Sequence, residues 1–178
     1  MKYYKVLGEN GRPVNGGSGK YHLPAKCKDG SWKPGKWMPA IKGELIPCEV
    51  GYHLCRPQDL VHWLDQSIYE AEYKGERIDQ EDKIVVRQVR LLRKVETWTE
   101  RTAREFACWC VRSTPLQNGK TTWSLLTDQR SKDAVIVSEK YARGEATDKE
   151  LAAAWAAAWA AARAGQNQHL FEVLGEIQ

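Results

Sequence analysis

The hydrophobic period of this chain changes once, near residue 96, and that change decides what it can fold into. Before it, short runs alternate in the manner of β-strands. Tyr3 to Leu7 is one such run, closed by the turn sequence GENG. Ile68, Glu70 and Glu72 alternate with Tyr69, Ala71 and Tyr73, as on a strand with one wet face. GERIDQED then reads as an acidic turn. Lys83 to Val95 places Val85, Val89, Leu91 and Val95 on one face and Ile84, Val86 and Leu92 on the other, a strand covered over part of both faces.

After the change, apolar residues recur at helical spacing. Thr97 with Glu100 spells a capping box, and Ala103, Phe106, Ala107 and Cys110 follow on one stripe. STPLQNGKTTW interrupts it. Asp128 to Arg143 is a second helix, with Ala134, Val137 and Tyr141 inward and Gly144 as its stop. A second capping box, Thr147 with Glu150, opens a long helix through LAAAWAAAWAAARAGQNQHLFEVL, weakened at Gly165. Trp155 and Trp159 stand four apart on it. They are the candidate interface residues of a binding or self-associating stripe. The plainer expectation is that they pack in cis on the two preceding helices, leaving a monomer or weak dimer. The fold class is therefore α+β: a small mixed β-sheet with one or two helices over 1–96, then about three helices over 97–178.

Between Gly16 and Gly43 lie nine glycines and prolines, which exclude a long helix. This stretch is also basic. The first fifty residues hold nine Lys/Arg against four Asp/Glu, whereas the whole chain carries only +4. KYHLPAKCKDGSWKPGKW interleaves lysines with Tyr21, Trp32 and Trp37, a composition that can hold phosphate and stack a base. So modest a charge surplus does not favour a nucleic acid over a solvated loop.

No apolar run is long enough to span a membrane. MKYYKVLGENG lacks the apolar core of a signal peptide. The expectation is a cytoplasmic protein, with no membrane partner and no cofactor. Five cysteines, an odd number, argue against a disulfide framework. Cys108 and Cys110 are two apart on a helix and point to different faces.

The densest chemistry is in IPCEVGYHLCRPQDLVHWL, residues 46–64. Glu44 to Cys48 and Gly51 to Cys55 read as two short strands, and Pro57 opens a helix with Leu60, Val61, Trp63 and Leu64 on its apolar face. Cys48, His53 and Cys55 could form three ligands of a metal, with Cys27 or His22 as a fourth. No C-x-x-C spacing accompanies them. Two buried thiols and a histidine satisfied by backbone are the expectation, with no metal.

GELIPCEVGYHLCRPQDLVHWL, IYEAEYKGE and DKIVVRQVRLLRKVE together resemble an uncharacterised family of short phage and bacterial proteins with a C-x4-H-x-C strand–turn–helix core. TERTAREFACWC and KYARGEATDKELAAAWAAAWAAARAGQNQHL resemble Ala/Trp-rich helical tails of phage and actinobacterial hypothetical proteins, some of which carry an immunity label. The two resemblances imply a phage or prophage accessory protein in the host cytoplasm. GKYHLP, GYHLC and EAEYKGE also resemble, at looser spacing, the ADP-ribosyltransferase pattern. That likeness implies His22, Tyr52 and a carboxylate at Glu70 or Glu72 as a catalytic set.

The leading functional expectation is a non-catalytic protein that binds a host protein or a small nucleotide. An NAD-consuming transferase is the enzymatic alternative, and self-association through the Ala/Trp helix the structural one. A ligand would sit where the 51–55 strand, the helix after it and the Gly/Lys-rich segment converge. Tyr52, His53, Trp37 and His22 would form its walls, with lysines such as Lys36 at the rim.

Overall fold

The computed structural model describes residues 1–174, which form two compact units, one of residues 1–99 and one that begins at Glu100. The class is α+β.

The first unit is built on a four-stranded antiparallel sheet. Its strands are β1 (Tyr3–Leu7), β4 (Tyr52–Leu54), β5 (Ser67–Asp79) and β6 (Ile84–Lys94), in the order β1-β5-β6-β4. The sheet then curls onto itself. Just beyond β4, Cys55 exchanges both backbone hydrogen bonds with Tyr4 of β1, each 2.8 Å long. Leu7, Leu54, Ile84, Val86, Val89 and Leu91 are all buried in one core cluster. Ile84, Val85 and Val86 are consecutive and all fully buried, so alternation places buried side chains on both faces of β6 there. The doubly covered strand expected at 83–95 is thus present.

A minor hairpin, β2 (Ala25–Lys26) with β3 (Trp32–Lys33), lies in the Gly/Pro-rich stretch. The chain after it is stitched along the free edge of β6. Gly35, Met38 and Ile41 donate to the carbonyls of Leu91, Val89 and Arg87, each at 2.9 Å. Every third residue of the segment thus meets every second residue of the strand, so Pro39, which has no N–H, is skipped. Arg87 adds bonds to the carbonyls of Ile41 and Gly43 at 2.7 and 2.8 Å. Gly35 is required in this seam, because a Cβ there would lie 2.0 Å from the carbonyl oxygen of His22.

Three expected elements differ. Glu44–Cys48 is not a strand. Ile46 pairs with Val50 across a tight turn, and Cys48 takes a left-handed φ of 68° at its tip. The helix after Pro57 is a single 3-10 segment, Pro57–His62, closed by Trp63 N–H donating to the Leu60 carbonyl at 3.0 Å. GERIDQED is not the turn. β5 runs through most of it and bulges at Gly75, where φ is 80°, and the true turn is Gln80–Lys83.

The second unit is helical: α1 (Glu100–Ser113), a one-turn α2 (Thr122–Leu125), α3 (Gln129–Ala142) and α4 (Asp148–Leu174). The Thr147–Glu150 box forms as expected, with Thr147 N–H donating to Glu150 at 2.7 Å and Glu150 N–H donating to Thr147 Oγ1 at 3.2 Å. Asp128 caps α3, and Gly144 ends it with φ at 76°. Arg112 of α1 pairs with Glu139 of α3 and lies 3.9 Å from the Trp123 ring centroid. α4 continues without a break through Gly165.

The expectation that Trp155 and Trp159 pack on the preceding helices is overturned. They are 47% and 60% exposed. α4 packs on α3 and leaves Leu151, Ala154, Ala158 and Ala161 as its partly buried stripe, while the buried residues of α3 are Ala134, Ser138 and Ala142. Small residues on both sides let two helices approach closely, which an indole in the seam would prevent.

Two predictions follow from these seams. Gly35→Ala lowers stability by about 2 kcal/mol or more in urea unfolding, because the backbone of His22 must move. Trp155→Ala with Trp159→Ala changes the same measurement by under about 1 kcal/mol, whereas Ala158→Leu costs about 1–3 kcal/mol by overpacking.

Candidate ligand-binding site

The curl of the first unit leaves a concavity of about 640 Å³ on the β1–β4 side, a volume suited to a small organic ligand. Lys5 comes from β1, and Tyr52 and His53 from β4. Tyr21 also lines it, and the glycine-rich loop 15–19 forms one wall. Trp63 and Lys83 form a second wall.

Each wall has its own support. Tyr52 donates its hydroxyl to the Pro39 carbonyl at 2.8 Å and meets Tyr21 edge-on, with ring centroids 6.0 Å apart. Gly51, at φ 143°, brings the chain close against Val85: a Cβ there would lie 2.3 Å from Val85 Cγ1. The second wall hangs on Arg56. Its guanidinium grips the buried carboxylate of Asp59 at 2.7 and 3.1 Å and also donates to the carbonyls of Gln80 and Glu81, both at 2.8 Å. That clamp ties the 3-10 segment to the β5–β6 turn. Trp63 then donates to the Asp82 carbonyl at 2.9 Å, and Lys83 lies 4.8 Å from the centroid of the Trp63 ring while pairing with Asp82 at 3.0 Å.

Lys5 is the residue that sequence reasoning missed. Its ammonium donates to the His53 carbonyl at 3.0 Å and lies 5.0 Å from the Tyr21 ring centroid. Among the described residues it has no carboxylate within ion-pair distance. Burial pulls it down to about 8 from the usual lysine value. The signal was in the sequence: a lone lysine alternating with Tyr3 and Leu7 on the inward face of a strand. His53 is held neutral, at about 4, by burial and then by the charges of Lys5 and Lys83. Its Nε2 accepts the Cys48 N–H at 3.1 Å, which places the imidazole proton on Nδ1. Burial pushes the Cys55 thiol up to about 11 and raises Tyr21 and Tyr52 as well.

Of the expected ligand-binding residues, Tyr52 and His53 line the concavity, whereas Trp37 and Lys36 do not. Trp37 is held between Lys74 and Arg90, at 4.4 and 4.8 Å from its ring centroid, because the stitched segment sets it beside β5 and β6. The catalytic alternative is not assembled. His22 is exposed on the loop, Tyr52 lines the concavity, and Glu72 pairs with Arg90 and lines a separate cleft with Glu70. The alternative metal set is not gathered either. Cys48 and Cys55 border the same concavity, but His53 Nε2 faces a backbone N–H, and no three such side chains converge among the described residues. No described helix is long and apolar enough to cross a membrane.

Comparison with protein-family models, curated proteins and solved structures gives no match to this chain.

The His53 environment makes a pH prediction. The unfolded imidazole takes a proton near its ordinary value of 6.5, and the folded one only near 4. The unfolded state therefore binds more protons across that window, and stability falls as pH drops through it. Urea unfolding at pH 7 and pH 4 should show a His53 contribution of about 1–2 kcal/mol, allowing for partial solvent screening. His53→Gln, which can still accept the Cys48 N–H, should remove that contribution.

Proposed function

We propose that this protein is a phage or prophage accessory protein that binds a small nucleotide in the concavity of its first unit and holds it without turnover. The observation that carries the reading is the lining: two lysines, two tyrosines and an indole around a ligand-sized space, with a glycine-rich loop along one side. Aromatic faces accept a base regardless of its hydrogen-bonding pattern, and ammonium groups attract phosphate. Sequestration rather than reaction is supported by what surrounds the ligand space. The lining carboxylate, Glu49, lies on the exposed turn, His53 commits Nε2 to a backbone N–H, and Cys55 is held as a thiol. The phage setting rests on the resemblance of the 44–96 region and the Ala/Trp-rich helix.

A second reading has one observation in its favour. Trp155 and Trp159 stand one turn apart and outward on α4, where they could engage a host protein or a second copy.

Calorimetric titration with mononucleotides, cyclic nucleotides, NAD and ADP-ribose tests the first reading. Stoichiometric binding without release of nicotinamide from NAD is the expected result. Tyr52→Leu should weaken binding by about 1–3 kcal/mol, the contribution of one base–aromatic stack, while the far-ultraviolet circular dichroism stays unchanged. No heat with any nucleotide would overturn the pocket reading and leave the protein partner.

A further inference from the structure

The two lysines of the concavity differ in a way that bears on what enters it. Lys83 is neutralised by Asp82, 3.0 Å away. Among the described residues, Lys5 has a carbonyl and an aromatic face at its ammonium and the neutral Cys55 thiol nearby, with no carboxylate in ion-pair distance. A part-buried charge without a counter-ion is costly, and the cost is removed when a ligand brings the opposite charge. One uncompensated cation among the described lining residues, with Glu49 on the bordering turn, suits a ligand of one or two negative charges and not the four of a triphosphate.

We propose that the ligand is a nucleoside monophosphate whose phosphate binds against Lys5, beside the glycine-rich loop, with its base against Tyr52 and Trp63. This inference rests on the pocket reading given above. The loop contributes in a plain steric way, since Gly16, Gly17 and Gly19 present no side chain beyond Cα and so admit an anion to the backbone.

The arrangement carries a proton signature. The other titratable groups lining the concavity are Tyr21, Cys48, Glu49, Tyr52, His53, Cys55 and Lys83. Burial keeps Tyr21, Tyr52 and Cys55 protonated well above neutral pH, and His53 is already neutral there. Lys5 itself loses its proton near pH 8 in the free protein. A phosphate beside it favours the charged form, so binding above that pH must draw in a proton.

The experiment is calorimetry of the full chain with AMP, adenosine and ATP at pH 7, then of AMP at pH 9 in buffers of different ionisation enthalpy. Lys5→Met keeps the bulk and removes the charge, so folding is retained. AMP is expected to bind about tenfold or more tighter than adenosine, as one charge-assisted contact would give. ATP should gain nothing over AMP. Proton uptake should accompany AMP binding at pH 9. In Lys5→Met the preference for AMP over adenosine and the proton uptake should both vanish. Equal affinity for AMP and adenosine, or a preference that survives Lys5→Met, overturns the phosphate assignment and leaves the pocket reading standing. Failure of all three compounds to bind the parent protein overturns the monophosphate assignment, and silence of the wider nucleotide panel overturns the pocket reading with it.

Discussion

The pair of hydrogen bonds between Tyr4 and Cys55 is the constraint on which the first unit depends. Without it the four strands would be an open sheet with β1 and β4 as its edges. With it the sheet curls, Leu7 and Leu54 enter one core, and the space beside them becomes a concavity. The bond also explains why a lysine can occupy the inward face of β1. Lys5 lies where the curl is not filled by apolar side chains, and its ammonium reaches the carbonyl of His53 on the strand that closes the ring. The geometry that stabilises the fold and the geometry that makes a site are the same.

The second unit rests on a different balance. α3 and α4 meet through small residues, so burial per residue is low and close approach must make up the difference. Local determinants carry much of the load. Alanine favours the helix wherever it stands, and capping at Thr147 and Asp128 satisfies backbone groups that the helices leave open. The large side chains are then free for other uses, and Trp155 and Trp159 face outward.

What could be read in the sequence was what is set locally. β1, β6, the extent of α3, the cap of α4 and the Gly144 stop depend on neighbours a few residues apart, and periodicity or capping spells them. The 57–62 segment was placed correctly by Pro57 but not typed, because a 3-10 turn and a short α-helix share their first residues. What stayed hidden depends on residues far apart. Nothing near Cys55 announces Tyr4, and nothing near Met38 announces Val89. Trp37 looked like a pocket wall because it is aromatic and flanked by lysine, yet long-range stitching sets it between Lys74 and Arg90. The tryptophan stripe misled through size. The eye takes the largest apolar residues as the buried face, but two closely packed helices select the smallest. For the site, Tyr52 and His53 were legible from the strand, and Lys5 was legible only by asking why an inward position is charged.

The Arg56 clamp has a consequence for how the protein moves. Asp59, Gln80 and Glu81 are all held by this one guanidinium, and Trp63 and Lys83 are fixed to the pieces it joins. That wall is therefore a cooperative element. It cannot loosen residue by residue, because each backbone carbonyl released would lose the same donor at once. Opening of the wall is a local unfolding step with its own free energy, smaller than that of the whole unit. Amide exchange along 57–63 and 80–83 should then share a single opening rate, distinct from that of the neighbouring strands.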